Sequence, residues 1–196
     1  MKIKQRIMKA VYPMILAATR LMGKNSKVLV NGKKVKPIQS FYDLQVELNN
    51  GKILPMLQFK GKKVMLVNTA SDCGYTDQYK DLQKLYEAYG DKLVIIGFPA
   101  NDFHEQEKGT DDQIAQFCEI NYGVTFPLAK KSVVLRKNEQ NPVFAWLTHS
   151  NLNGWNEVEP TWNFSKYLVN EEGMLIDYFD PSVSPTGNTV IKAIEA

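Results

Sequence analysis

Residues Val64–Tyr79 read VMLVNTASDCGYTDQY, and their pattern constrains the architecture of the whole chain. The run Val64–Val67 is continuously apolar, which is typical of a strand that is covered on both faces. Residues Tyr79–Tyr89 then show the apolar spacing of an amphipathic helix, and Leu93–Phe98 is a second apolar run. A strand, a helix and a second strand in this order form a β-α-β unit, so the two strands are predicted to lie parallel in one sheet.

Shorter segments on both sides of this unit predict a mixed α/β domain. Turn-forming residues separate two pairs of predicted strands, so each pair is expected to form a hairpin. The spacing of Thr110 and Gln113 is that of a capping box, which predicts the start of a helix. The further predicted strands are Lys27–Lys33, Phe41–Val46, Ile53–Phe59, Asn163–Val169 and Met174–Phe179, and the further predicted helices are Thr110–Asn121, Pro142–Leu147 and Thr189–Glu195.

The composition is that of a globular protein. The chain has 196 residues, of which 44% are hydrophobic, and chains of this length commonly form one unit with its own core. Two cysteines are too few for a disulfide scaffold and favour a cytosolic or catalytic role. No apolar run reaches the roughly 18 residues that are needed to span a bilayer.

The charge is distributed unevenly along the chain. Residues 1–40 carry ten Lys or Arg and no acidic residue, which leaves 14 basic and 21 acidic residues for the rest. Residues 3–22 have helical periodicity, which Pro13 interrupts. Three interpretations are open: a surface helix or partly disordered arm, a basic segment lying on anionic lipid, and a signal peptide, which the short apolar stretch containing Pro13 disfavours. We therefore divide the chain into a basic amphipathic segment, 1–26, and a domain, 27–196.

Cys73 follows the first buried strand and is expected at or near the start of the next helix. Free N–H groups and the helix dipole favour a thiolate there, so the sequence predicts a thiol pKa well below the usual ~8.5. The alternative is a buried cysteine that acts as a small apolar residue, which its polar neighbours disfavour. Asp72 opposes a thiolate unless it points away or other donors outweigh it. Thr76 stands where a Cys-x-x-Cys motif has its second cysteine, so Cys73 is better suited to attacking an oxidant.

Four ordered segments, VNTASDCGYTDQY, GFPANDFHEQEKG, IAQFCEINYGVTFP and WNFSKYLV, resemble the glutathione peroxidase family. The similarity covers about residues 39–195 and is closest to the branch that uses cysteine and depends on thioredoxin. The resemblance implies an α/β, thioredoxin-like fold, in which helices flank a central mixed β-sheet and an N-terminal β-hairpin is added. It also implies an enzyme, a thiol peroxidase that reduces hydrogen peroxide and organic or lipid hydroperoxides to water or alcohol.

The same resemblance implies roles for individual residues. Cys73 aligns with the peroxidatic cysteine, whose thiolate is oxidised to a sulfenic acid. Gln106, Trp162 and Asn163 align with the family's active-site glutamine, tryptophan and asparagine, whose N–H groups can donate to a thiolate without titrating. Without the resemblance, Gln106 would be interpreted as a polar loop residue and Trp162 as a core or edge aromatic.

Cys118 aligns with the resolving cysteine of the thioredoxin-dependent branch. In that role it would form an intramolecular disulfide with Cys73, and thioredoxin would reduce it, with glutathione as the alternative reductant. A second interpretation stays open, because Cys118 follows Ile114 by four residues and could be a buried residue of an amphipathic helix. Reaching Cys73 from a separate helix would require that helix to unwind locally.

Several positions depart from the family pattern and bear on rate and substrate preference rather than on reaction class. His104 and His149 lie far apart and lack metal-ligand spacing, so we expect no metal, and we also expect no organic cofactor and no nucleic-acid partner. The protein is expected to be a monomer. The departures are Asp72, Ala100, Asp102, His104 and Lys108.

Two other functions are open at the level of the sequence. One is a redox sensor or thiol-disulfide oxidoreductase, in which Cys73 passes a disulfide to a protein partner. The other is a membrane-surface binding module in which residues 1–24 carry the function. The expected location is cytoplasmic, with membrane association through these residues as an alternative.

Overall fold

The computed structural model describes residues 26–196, which form a mixed α/β structure. The strands are β1 (Val28–Val30), β2 (Gln45–Glu47), β3 (Ile53–Pro55), β4 (Lys63–Thr69), β5 (Leu93–Pro99), β6 (Lys166–Val169) and β7 (Leu175–Phe179). The helices are α1 (Gln78–Tyr89), α2 (Asp111–Tyr122), α3 (Pro142–Thr148), α4 (Ser150–Asn153) and α5 (Asn188–Glu195), and two short 3-10 helices lie at Phe41–Asp43 and Met56–Phe59.

Five of these strands form the central sheet, in the order β1-β7-β6-β4-β5. The pair β4 and β5 is parallel, as the β-α-β pattern predicts, and the other neighbours are antiparallel. The strands β2 and β3 form a separate antiparallel hairpin. An isolated bridge between Leu48 and Ala129 links this hairpin to the segment beside β5. The thioredoxin-like arrangement of a mixed sheet, flanking helices and an N-terminal hairpin is therefore confirmed.

Three predicted strands are shorter than the sequence suggested. The Ser40 hydroxyl accepts a hydrogen bond from the Tyr42 N–H and starts a 3-10 turn, so β2 does not begin at Phe41. The residues after Pro55 likewise form a 3-10 helix instead of extending β3. The strand β6 begins at Lys166, because pairing becomes irregular before it: the side chain of Asn68 accepts the Ser165 N–H (3.0 Å), and the Asn68 backbone carbonyl oxygen accepts the Phe164 N–H (2.7 Å) instead.

The apolar run of β4 is continuous because the sheet has a core on each face. Val64 and Leu66 pack with the hairpin and α3, whereas Met65 and Val67 pack with α1, α2 and α5. All seven residues of β4 are buried, and burying one such apolar side chain contributes about 1.5–3 kcal/mol. Both cysteines belong to the second core, so the sheet places Cys73 and Cys118 on the same face.

Lys166, at the start of β6, is fully buried in this arrangement. Its ammonium group donates to the carbonyl oxygens of Phe164 (2.7 Å) and Val183 (2.8 Å), and lies 3.3 Å from that of Pro181. Buried carbonyl groups need such donors, because water does not reach them. Lys166 therefore ties the segment before β6 to the loop after β7.

We predict that Lys166→Met destabilises the protein by about 3 kcal/mol, because the methionine fills the same space but leaves buried carbonyl groups without a donor. Urea unfolding followed by circular dichroism measures the change. Lys84→Met, at an exposed position of α1, is the matched control and should change the free energy of unfolding by less than about 0.5 kcal/mol. Equal effects of the two substitutions would contradict the role of the buried ammonium group.

The amphipathic pattern of residues 3–22 lies outside the described residues, so the division between segment 1–26 and domain 27–196 stays a prediction. Within residues 26–196, no helix has the length and apolar character required to cross a membrane.

Candidate active site

Cys73 lies in the loop that connects β4 to α1. The sequence predicts a position at or near the start of the helix, and in the structure Cys73 precedes α1, which starts at Gln78. Thr76 explains the difference: its hydroxyl accepts the Cys73 N–H (3.0 Å) and lies 2.9 Å from the Ala70 carbonyl oxygen. These contacts close a tight turn around the cysteine, and the helix starts only after the turn is complete.

The sulfur of Cys73 is buried, with 8% of the residue exposed, and it contacts several donors. The Tyr75 N–H donates to Sγ at 3.4 Å. Burial raises the pKa of the thiol to about 11, and hydrogen bonds from Tyr75, Trp162 and Asn163 lower the pKa in part. The prediction of a lowered pKa is therefore wrong, because loss of water outweighs these donors.

Asp72 has a smaller effect on the thiol than its position next to Cys73 suggested. Its negative charge raises the thiol pKa, but by less than the hydrogen bond from Trp162 lowers it. Asp72 is exposed, and charge repulsion across solvent is weak. The donors around the sulfur therefore outweigh this carboxylate.

Gln106, Trp162 and Asn163 are brought together beside Cys73 by a network of amides. The Asn163 side chain donates to Gln106 Oε1 at 3.0 Å. The Gln106 backbone carbonyl in turn accepts the Asp72 N–H at 3.0 Å. Gln106 therefore connects the asparagine to the loop that carries Cys73.

Asn68, at the end of β4, is a site residue that the sequence analysis missed. Its amide nitrogen donates to Asn163 Oδ1 (3.1 Å) and to the Trp162 carbonyl oxygen (3.2 Å). The side chain is fully buried, so these partners replace water. A polar residue that interrupts a buried apolar strand is the sequence feature that could have identified it.

His104 is the second residue that the sequence analysis did not place at the site. Its ring lies 5.2 Å from the Trp162 ring, centroid to centroid, and Phe103 packs beside the same tryptophan at 5.4 Å. His104 has φ = 50°, a conformation that favours glycine. His104, one of the departures from the family pattern, therefore occupies a backbone conformation that suits glycine better.

Two other departures from the family pattern form ion pairs. The Asp102 carboxylate accepts the Val134 N–H (2.8 Å) and pairs with Lys137 (2.5 Å). Lys108 pairs with Glu105 at 2.7 Å, and both of these side chains are exposed. Among residues 26–196, no three His, Cys, Asp or Glu side chains are grouped so that they could hold a metal ion.

Cys118 lies inside α2 and is fully buried, and both cysteines are reduced. Burial raises the pKa of its thiol to about 11, the Tyr79 hydroxyl lowers this pKa, and the charge of Glu107 raises it. The helix is well terminated, since Thr110 and Gln113 form the predicted capping box and Gly123 adopts a left-handed conformation at the end. A disulfide between Cys118 and Cys73 is predicted to require local unwinding of this helix.

A groove of about 270 Å³ lies between the loop that precedes Cys73 and the first turns of α2. Its floor includes the apolar side chains of Ile114 and Phe117, and its rim is polar. The rim residues are Ser71, Asp72, Glu105, Gln106, Glu107, Lys108, Gly109 and Gln113.

Comparison with known proteins decides the family. The sequence model described as glutathione peroxidase matches residues 41–148. The chain belongs to the glutathione peroxidase family. It is 44% identical to the glutathione peroxidase homolog BsaA of Staphylococcus epidermidis over 149 residues, which cover 76% of this chain and 93% of that protein.

Two further relatives agree with this assignment. The glutathione peroxidase-like peroxiredoxin 2 of Saccharomyces cerevisiae is 44% identical over 150 residues, covering 75% of this chain and 91% of that protein. The crystal structure of Trgpx in apo form superimposes with a TM-score of 0.62 at 33% identity, covering 81% of this chain and 97% of the other.

We predict that Trp162→Phe slows the alkylation of Cys73 by iodoacetamide about tenfold at pH 8, since it removes an N–H that stabilises the thiolate. Mass spectrometry follows the modification in a Cys118→Ser background. Trp155→Phe is the matched control, because the Trp155 indole donates instead to the Leu175 carbonyl oxygen (2.8 Å). Equal slowing in both variants would show that ring packing, rather than the hydrogen bond, is responsible.

Proposed function

We propose that this protein is a thiol peroxidase that reduces hydrogen peroxide and organic or lipid hydroperoxides, with Cys73 as the nucleophile. The observation that carries the proposal is the polar environment of the Cys73 sulfur: the Tyr75 N–H donates to Sγ at 3.4 Å, and the Trp162 and Asn163 side chains lower the pKa of the thiol. A cysteine that served only as an apolar core residue would not require this environment. These donors stabilise negative charge at the sulfur in a site with little water, where electrostatic interactions are strong.

The reaction transfers one oxygen atom to sulfur. The Cys73 sulfur attacks the outer oxygen of the hydroperoxide, an S–O bond forms and the O–O bond breaks. The thiol proton passes to the departing oxygen, so a thiol and a hydroperoxide give a sulfenic acid and an alcohol, or water when the substrate is hydrogen peroxide. Because burial keeps the thiol mostly protonated at neutral pH, the donors act mainly as charge develops along the reaction.

Cys118 is proposed to resolve the sulfenic acid. Its sulfur attacks Cys73, the sulfenic hydroxyl leaves as water, and a disulfide forms. The shared core gives the two cysteines a common location on one face of the sheet. A dithiol protein such as thioredoxin then reduces the disulfide by exchange.

We predict that peroxide turnover coupled to NADPH, thioredoxin and thioredoxin reductase disappears in Cys73→Ser and in Cys118→Ser. The first variant lacks the nucleophile, and the second cannot form the disulfide that thioredoxin reduces. Hydrogen peroxide and cumene hydroperoxide serve as substrates, and the same assay is run with glutathione and glutathione reductase.

Each alternative gives a different result in this experiment. Turnover with glutathione that survives Cys118→Ser would retain Cys73 as the nucleophile and make Cys118 a packing residue. Slow turnover, together with mixed disulfides that accumulate in Cys118→Ser, would favour a redox sensor. Absence of turnover in the folded wild-type protein with either reductant would overturn the peroxidase proposal.

The basic segment at the N-terminus supports a second, compatible proposal. Residues 1–40 carry ten Lys or Arg and no acidic residue, and residues 3–22 have amphipathic periodicity. Such a segment binds anionic lipid through its charge and its apolar face. Contact with a membrane surface would bring the enzyme close to lipid hydroperoxides.

We predict that the full-length protein sediments with vesicles that contain phosphatidylserine and remains in solution with neutral phosphatidylcholine vesicles. Deletion of residues 1–24 should abolish sedimentation, whereas Cys73→Ser should not change it. Equal binding of the full-length and shortened proteins would contradict a role for this segment.

A further inference from the structure

A buried carboxylate lies directly behind the nucleophile loop and has no part in the chemistry proposed above. Glu107 is 1% exposed. Its Oε2 accepts both the N–H (2.8 Å) and the hydroxyl (2.9 Å) of Ser71. Its own N–H donates to Asn101 Oδ1 at 2.9 Å, so the backbone of Glu107 is held in place as well.

Glu107 and its neighbour together fix the two residues that precede the nucleophile. Glu107 binds Ser71 through its side chain, and Gln106 binds Asp72 through its backbone carbonyl (3.0 Å). Cys73 follows directly. A change in the contact between Glu107 and Ser71 therefore changes the support of the nucleophile two residues away.

Ionisable groups from four parts of the fold face this carboxylate. They are Asp72 on the nucleophile loop, Tyr79 on α1, Cys118 on α2 and Lys131 after β5. Burial raises the pKa of Glu107 to about 7, the bonds from Ser71 and the charge of Lys131 lower it, and Asp72 raises it. Lys131 itself is held by the Gly109 carbonyl oxygen at 2.5 Å.

The raised pKa of Glu107 means that its ionisation has opposite effects on the stability of the fold and on the strength of the contact with Ser71. A raised carboxyl pKa means that the stabilising neutral form predominates at low pH, and its contribution is lost as the pH rises through about 7. The ionised form, in contrast, makes the stronger hydrogen bonds, because charge-assisted bonds are about twice as strong as neutral ones. Ionisation of Glu107 therefore lowers the free energy of unfolding at the pH where the contact with Ser71 is strongest.

We propose that Glu107 is a positioning residue that acts through Ser71: its carboxylate holds the nucleophile loop in the geometry for attack on the peroxide, and its protonation loosens that loop. The inference rests on the proposed peroxidase function. The size of the effect on the oxidation rate depends on how far the sulfur moves, since a displacement of about 1 Å in a reacting group can lower a rate by a factor of up to ~100.

The test measures the second-order rate constant for oxidation of Cys73 by hydrogen peroxide between about pH 5.5 and 8.5, with stopped-flow tryptophan fluorescence in a Cys118→Ser background. Thiolate formation alone raises this rate tenfold per pH unit throughout the range. In the wild-type loop we expect a further rise of about tenfold, centred near pH 7. Glu107→Gln, which cannot ionise, should show the thiolate slope alone and react about tenfold more slowly at pH 8.

Glu105→Gln is the matched control, because this residue lies in the same loop but is exposed and pairs with Lys108. It should keep the additional rise in rate. A second variant, Ser71→Ala, removes the hydroxyl donor but leaves the N–H, so it should lower the rate at pH 8 and change it little at pH 5.5. This variant keeps the test decisive if Glu107→Gln does not fold, which circular dichroism would show.

An identical pH profile in wild type and Glu107→Gln, or in wild type and Ser71→Ala, would overturn the inference. Alkylation of Cys73 by iodoacetamide over the same pH range distinguishes this failure from failure of the proposed function. A wild-type protein that is alkylated but not oxidised by peroxide would refute the peroxidase proposal. An additional rise in the alkylation rate that Glu107→Gln abolishes would still support positioning by Glu107.

Discussion

The buried side chain of Asn68 joins the central sheet to the segment that carries the donors of the active site. It lies at the end of β4, where it binds the Trp162 carbonyl oxygen and the Asn163 side chain, and accepts the Ser165 N–H. The backbone of Asn68 also pairs with this segment, since its N–H donates to the Ser165 carbonyl oxygen (3.3 Å) and its carbonyl oxygen accepts the Phe164 N–H (2.7 Å). Asn68 therefore holds the segment through both backbone and side chain, so the positions of Trp162 and Asn163 depend on the pairing of β4 with its neighbours.

In the proposed mechanism, Cys73 is a buried thiol that serves as the nucleophile. Its surroundings disfavour the thiolate in the resting protein, yet they place donors around the sulfur. Donors that are fixed in advance require no reorganisation when charge develops, and this kind of preorganisation is a large contribution to catalysis. The site therefore contributes mainly through donors that are already in place when negative charge develops on the sulfur, and less through a thiolate in the resting protein.

Much of the fold followed from the sequence, because apolar periodicity reports burial directly. The continuous run of β4 predicted a strand between two layers, and Thr110 with Gln113 predicted the start of α2. The thiol pKa could not be predicted in this way, since it depends on how much water the loop excludes. The contacts of Asn68 and His104 with residue Trp162 could not be predicted for a related reason: Trp162 is far away in the sequence. The polar interruption of β4 could have marked Asn68 as unusual, but a local pattern does not name its partner.

The burial of Cys118 within a helix that is capped at both ends has a consequence for the energy of the catalytic cycle. Local unwinding of α2, which the sequence analysis predicts for formation of the disulfide, would mean that the helix re-forms when the disulfide is reduced. The folding free energy of that segment is therefore recovered with each reduction, and it favours the dithiol state. Refolding of the helix would thus favour the reduced protein and make the disulfide a stronger oxidant towards its reductant.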